Sequence, residues 1–202
     1  MSTLSDDELY QGYFEKVYQH TNVMSYSPEE AAQYAKQGVC LTYGELLYPS
    51  VKKLLGKMQL TKDDVFLDLG SGAGKCAFQV FMQSDVGKVL GIEASALLHQ
   101  QALQVSLTLR KEFPWFWEDN RSCDFVEGNF LHSSWNQATV VYTCSTCFTQ
   151  ELLFAIADKI NHTPSVQKVF SLRPLPGLRI PLESVFQVEC SWDSALCFFY
   201  LR

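Results

Sequence analysis

The chain has 202 residues, 47% of them hydrophobic and 19% charged, with a formal net charge of −6. That size suits one globular core and leaves no room for a second large one. No basic run is longer than Lys52-Lys53, so nucleic acid is not an expected partner, whereas an acidic surface suits a basic protein target or simply keeps the chain soluble.

Near the start, Tyr10, Tyr13, Phe14, Val17 and Tyr18 recur at helical spacing and predict an N-terminal helix within residues 1–24, packed on the rest of the chain. Ser27-Pro28-Glu29-Glu30 is a helix start: Ser27 is the cap, Pro28 opens the first turn and Glu30 sits in capping-box position. The helix over 28–36 then ends at Gly38. A further helix is expected over 49–58, and Thr61-Lys62-Asp63-Asp64 turns into a first strand at Val65. From Lys75 onward helices (75–82, 96–113, 150–160) alternate with strands (88–92, 123–127, 138–143, 166–172), the pattern of a parallel sheet wound with helices on both faces. Residues 184–191 and 195–201 flank Trp192-Asp193-Ser194 as a β-hairpin, which adds antiparallel strands at the end. The expected fold is therefore α/β and Rossmann-like, with seven strands, a C-terminal antiparallel hairpin, a helical cap and flap over 1–60 and a catalytic domain over 61–202.

The first strand runs into Asp68-Leu69-Gly70-Ser71-Gly72-Ala73-Gly74. Glycines at such a strand-to-helix turn let backbone N–H groups approach a ligand where a Cβ would collide. The third glycine of a dinucleotide fingerprint would fall on Lys75, one place late, and a Walker loop would need Gly-Lys-Ser/Thr after Gly70. The turn therefore suits an adenosyl ligand without a phosphate. About twenty residues on, Glu93 ends the second strand, where a carboxylate can accept hydrogen bonds from both ribose hydroxyls. Asn129 and Phe130 follow the third strand, placed to bond the adenine amino group and to pack on its ring. Glycine turn, strand-tip Glu and Asn-Phe in this order resemble the cofactor site of class I S-adenosylmethionine methyltransferases.

Seven cysteines, an odd number spread over the chain, fit reduced thiols better than a disulfide framework. Cys144 and Cys147 form a C-x-x-C, but Cys190 and Cys197 lie too far apart to complete a zinc set, and no metal is expected. The acidic N-terminus lacks the basic start and apolar run of a secretory signal, and the longest apolar run, 195–201, is too short to span a bilayer. A soluble protein of the cytoplasm is the expectation from these features.

Two segments can face the methyl group: Tyr43-Gly44-Glu45 upstream of the first strand, and 142–148, which includes Cys144 and Phe148, after the fourth. Thr42-Tyr43-Gly44-Glu45, the glycine turn, Gly91-Ile92-Glu93, Gly128-Asn129-Phe130-Leu131 and Trp192 together resemble the disruptor-of-telomeric-silencing type of histone-lysine methyltransferase, from about Tyr18 to the end. That resemblance implies that Tyr43 and Glu45 contact the methionine part of the cofactor or the reaction channel. It also implies that Gln79 matches a glutamine in the helix after the turn and that Phe148 matches an aromatic after the fourth strand. The implied cofactor set is Glu45, Asp68, Gly70, Ser71, Gly72, Gly74, Gln79, Glu93, Asn129 and Phe130; the implied catalytic set is Tyr43, Cys144 and Phe148. Cys144-Ser145-Thr146 stands where the family carries Asn-Asn-Phe, Asn129 where it carries Asp, and the basic nucleosome-binding tail is absent. A compact relative, bacterial in source, that methylates a protein lysine or another amine is the expected identity. A small-molecule methyltransferase and a non-catalytic S-adenosylmethionine-binding protein remain the alternatives, just as Tyr43 also reads as a core aromatic and Glu45 as a helix N-terminal charge.

Overall fold

A computed structural model describes residues 6–18, 32 and 44–202. Tyr43 and, apart from residue 32, the helix expected over 28–36 lie outside the described residues. The described helices are α1 (Asp6–Tyr18), α2 (Tyr48–Met58), α3 (Lys75–Gln83), α4 (Ala96–Glu112) and α5 (Gln150–Asn161). The strands are β1 (Val65–Leu69), β2 (Lys88–Glu93), β3 (Ser122–Glu127), β4 (Val140–Thr143), β5 (Lys168–Ser171), β6 (Leu182–Glu189) and β7 (Ser194–Leu201).

They form one seven-stranded sheet in the order β3-β2-β1-β4-β5-β7-β6. The strands from β3 to β5 are parallel, and the terminal hairpin runs antiparallel to them through β7. This is the expected Rossmann-like architecture with its C-terminal hairpin. Alternating side chains divide the core into two layers. Phe66, Val89, Val140 and Tyr142 face the apolar sides of α2, α3 and α4, among them Leu54, Met58, Phe78, Phe81 and Leu109. Leu67, Leu69, Val141 and Val169 face Leu153, Ile156 and Ile160 of α5.

Local chemistry sets the element ends. The Ser95 hydroxyl accepts from Leu98 N at 3.3 Å, capping α4. The Thr149 hydroxyl accepts from Leu152 N at 3.2 Å and caps α5 in the same way. Pro49 opens α2, and Gln59 closes it in a left-handed conformation. α1 lays its aromatic stripe on the end of α4, with Tyr13 4.3 Å from the Phe113 ring and Lys16 2.7 Å from Glu112. The segment from 128 to 139 joins β3 to β4 without a helix. It leaves a cleft of about 470 Å³ on the α5 side of β1, β2 and β3, with Lys88, Ser122 and Asp124 among its lining residues. Among the described residues no helix is long and apolar enough to cross a membrane.

Candidate active site

The strand order reverses between β1 and β4, so their C-terminal ends open a crevice. The turn after β1 fills its floor. Gly70, Gly72 and Gly74 have φ of 78°, 55° and 84°, the left-handed region that suits glycine. Gly70 N and Ser71 N donate to Ile92 O at 2.9 and 3.1 Å, which ties the turn to β2. Glu93, buried at the tip of β2, accepts from Gly72 N through Oε2 and from Ser95 N through Oε1, each at 2.8 Å. One carboxylate thus joins the glycine turn to the start of α4. Burial pushes the Glu93 carboxyl up, while the N–H groups of Ser95 and Gly72 pull it back. Asp68, also buried, rises to about 8, first through desolvation and then through the charge of Glu93. Ser71 Oγ is buried without a partner.

Gly74 serves packing more than close approach of a ligand. A Cβ there would stand 2.8 Å from the Phe125 ring and 2.9 Å from Phe78. Gly91, beneath the turn on β2, meets the same Phe125 ring at 2.6 Å. Phe125 of β3 is therefore the support on which the turn rests, and nothing in the glycine spacing announces it.

After β3, Asn129 is exposed, and its Oδ1 accepts from Leu131 N at 2.8 Å, closing a local turn. Phe130 is buried, with its ring 5.9 Å from that of Phe148. The loop they belong to is held from α5. Lys159 Nζ donates to the carbonyls of Phe130, Leu131 and Ser133 at 3.1, 2.5 and 2.6 Å, and lies 4.7 Å from the Trp135 ring centroid. Trp135 Nε1 donates to Phe130 O as well, at 2.9 Å. Lys159 went unnoticed in the sequence because it lies far downstream of Asn129, on a helix with another task.

The segment from Gly44 to Leu47 is clamped by the hairpin tip. Leu46 bridges to Cys190, Leu47 N donates to Glu189 O at 3.0 Å and Ser191 N donates to Glu45 O at 2.8 Å. Gly44 lies against Trp192 so closely that a Cβ would come within 2.0 Å of the indole. Glu45 Oε2 pairs with Lys75 Nζ at 2.5 Å, and Glu45 Oε1 is buried without a partner. Desolvation pushes the Glu45 carboxyl up against the lowering effect of Lys75.

Three expectations change here. Gln79 is not turned toward a ligand: its amide nitrogen donates to Tyr48 O and Gln83 Oε1, each at 2.8 Å, and so has no proton left to offer. Cys144 is a thiol that burial pushes well up, and its Sγ donates to Gly44 O at 3.3 Å. Held protonated in this way, it supplies neither a base nor a nucleophile and instead secures the Gly44 backbone. Phe148 packs on Phe130 and lies 3.7 Å from where a Gly70 Cβ would stand, which places it against the glycine turn. Beneath them Tyr142 is buried in the core and stacked on Phe66 at 6.3 Å. Among the described residues no His, Cys, Asp and Glu group could hold a metal ion.

Residues 18–187 match the family described as "Histone methylation protein DOT1". A histone-lysine N-methyltransferase, H3 lysine-79 specific, from Cryptococcus neoformans is 31% identical over 153 residues, covering 73% of this chain and 23% of the relative. Its namesakes in Drosophila melanogaster and Caenorhabditis elegans are 31% and 25% identical, covering 44% and 66% of this chain and 5% and 15% of their own lengths. The chain thus spans less than a quarter of each of these relatives. All three are eukaryotic, so the bacterial source expected above gains nothing from them. Being named for histone H3, a chromatin protein, they also overturn the cytoplasmic placement expected from the N-terminus. The chain resembles in fold an RNA methyltransferase from Salinibacter ruber, crystallised with S-adenosyl-L-homocysteine (TM-score 0.56, 18% identity, 76% of this chain and 90% of the other). It likewise resembles magnesium protoporphyrin IX methyltransferase from Synechocystis with bound SAM (TM-score 0.58, 11% identity, 100% and 99%). The sheet order, the glycine turn tied to Glu93 and the match over residues 18–187 converge: this chain belongs to the DOT1 histone methylation family.

Proposed function

We propose that the chain binds S-adenosylmethionine in the crevice over β1, β2 and β4 and transfers its methyl group to a lysine side chain of a protein. The observation that carries this reading is the family match over residues 18–187, laid on a crevice whose polar groups suit the cofactor. Glu93 accepts from Gly72 N through Oε2 and from Ser95 N through Oε1, and its carboxylate keeps lone-pair capacity for a ribose hydroxyl. Phe130 and Phe148 supply apolar surface for the adenine, and Ser71 Oγ and Glu45 Oε1 are polar atoms awaiting a partner. When bound, the cofactor supplies an electrophilic methyl on a sulfonium. The relatives' names make lysine of histone H3 the first acceptor to try, and a net charge of −6 suits a basic target.

A lysine ammonium has no lone pair, so it must lose a proton before it can attack in line with the methyl. Its reference pKa is about 10.4, and exclusion of water penalises the charged form and brings that value down. The Cys144 thiol, held protonated, supplies no base for this step.

Incubation of the protein with methyl-labelled S-adenosylmethionine and either core histones or whole-cell extract tests the reading. Label is expected in protein, with histone H3 the strongest band. Label confined to the small-molecule fraction would replace protein lysine with a metabolite acceptor. Cofactor binding has a separate expected outcome: at S-adenosylhomocysteine about a hundred times its Kd, the folded state gains roughly 2.7 kcal/mol, read as a rise in Tm. No rise with either adenosyl ligand would remove the cofactor.

A further inference from the structure

The sheet ends at β6, whose outer edge is closed at both ends and open between them. Toward its C-terminal end, Glu189 N donates to Ser50 Oγ at 2.7 Å, Glu189 O accepts from Leu47 N at 3.0 Å and Gln187 O accepts from Lys53 Nζ at 2.7 Å. At the other end an irregularity between Leu182 and Ser184 shifts the strand out of register. Antiparallel pairing alternates, so residues 185, 187 and 189 all turn their backbone groups away from β7. Val185 N, Val185 O and Gln187 N are thereby left open between the two closures, with no partner among the described residues.

The side chains around this gap divide by face. Phe186 points to the α2 side, where Lys53 Nζ and Lys57 Nζ lie 5.5 and 5.0 Å from its ring centroid. α2 carries three lysines and no acidic residue, in a chain of net charge −6. Neither Lys53 nor Lys57 has an acidic partner among the described residues. Val185 and Leu196 lie on the opposite face, 43% and 52% exposed. Glu183 and Glu189 share that face but stand at its two ends, outside the open stretch. An apolar edge strand invites pairing with another chain unless lysines, bulges or a covering segment blunt it. Here those devices flank a short stretch and leave its centre available.

We propose that the open stretch of β6 at 184–187 takes up an extended segment of a partner protein as an eighth strand, with acidic residues on the α2 side and apolar residues on the other. Backbone pairing to Val185 and Gln187 attaches the segment, and alternate side chains select it. Its carboxylates meet Lys53 and Lys57, while its apolar side chains cover Val185 and Leu196. β5 and β7 stand between this edge and β4, so the segment docks clear of the crevice.

Fluorescence anisotropy on the purified chain tests the edge with two labelled peptides, Glu-Val-Glu-Val-Glu-Val and Lys-Val-Lys-Val-Lys-Val. The acidic peptide is expected to bind about ten times more tightly, as two exposed ion pairs allow, and to weaken as salt is raised. Val185→Pro removes the open N–H without touching the ladder to β7. It should weaken the acidic peptide about tenfold and leave S-adenosylhomocysteine affinity within about twofold. Should Val185→Pro fail to fold, Lys57→Glu, a change at an exposed position, carries the same test and is expected to erase the preference for the acidic peptide. Equal affinity for the two peptides, no saturable binding at millimolar concentration, or acidic-peptide affinity unchanged in the folded variants would overturn the proposal. So would sedimentation of the wild type as a dimer that Val185→Pro converts to a monomer, which would assign the edge to a second copy of this chain.

Discussion

Glu93→Ala is expected to weaken S-adenosylhomocysteine binding about ten- to hundredfold and to lower the Tm of the ligand-free protein as well. Two effects add. The first is loss of the carboxylate that would grip the ribose diol, where charge-assisted hydrogen bonds are worth about 1.5–3 kcal/mol. The second is structural: with Glu93 gone, the N–H groups of Gly72 and Ser95 lose their acceptor, and each buried unpaired donor costs about 1–3 kcal/mol. Removing a carboxylate that burial already disfavours offsets part of the second effect. Glu93→Gln separates them, because its carbonyl oxygen can still accept one of the two N–H groups while the charge on the ribose is lost. Titration calorimetry with a parallel melting scan reads both. Affinity unchanged in Glu93→Ala would move the ribose away from β2 and with it the whole orientation of the cofactor.

That same pair of bonds joins segments that are each recognisable locally in the sequence. The glycine turn, the strand tip at Glu93 and the Asn129-Phe130 pair are each local features, and the parallel order of β2, β1 and β4 is enough to bring them together. Strand and helix ends were legible for a similar reason. The helices expected over 96–113 and 150–160 lie within a residue of the observed ends, where Ser95 and Thr149 cap them. The hairpin was placed less well, since β6 begins at Leu182 and pairs with β7 through an irregularity between Leu182 and Ser184.

Contacts between distant segments were not legible. Phe125 sets the need for glycine at both Gly74 and Gly91, yet it lies on β3 and carries no motif. Lys159 cages three carbonyls of the loop after β3 from a helix beyond the next strand, and a lysine on an amphipathic helix reads as a solvated charge. Gln79 and Lys75 are one helical turn apart. Sequence likeness could not tell which of them faces the turn and which the core, because that depends on where Tyr48 of α2 brings its carbonyl. The same holds at the fourth strand, where Tyr142 stacks on Phe66 in the sheet core and Phe148 lies against Phe130. Chemistry carried by backbone shape was readable; chemistry carried by which side chain wins a shared space was not.

The acidic pocket beneath the turn should make both stability and cofactor binding depend on pH, with Asp68 at the centre. Its carboxyl is about 8 in the folded protein against 3.8 for the ordinary group, because it is desolvated and faces Glu93. Between those two values the folded chain retains a proton that the unfolded chain has released, so stability falls as pH rises from about 4 to about 8. The slope approaches about 1.4 kcal/mol per pH unit for one proton. Below the ordinary value both states are protonated and the contribution of Asp68 is constant. Asp68→Asn keeps a neutral group of the same shape and should flatten that slope, measured as urea midpoints at pH 5, 6 and 7. Bound S-adenosylmethionine brings cationic groups to the same crevice, which favour the ionised carboxylate. Binding at pH 7 should then release up to about one proton from the pocket that Asp68 shares with Glu93, and affinity should rise with pH toward 8. Calorimetry in two buffers of different ionisation enthalpy counts that proton. A binding enthalpy independent of buffer in the wild type, or a proton release unchanged in Asp68→Asn, would show that Asp68 is not the group that responds.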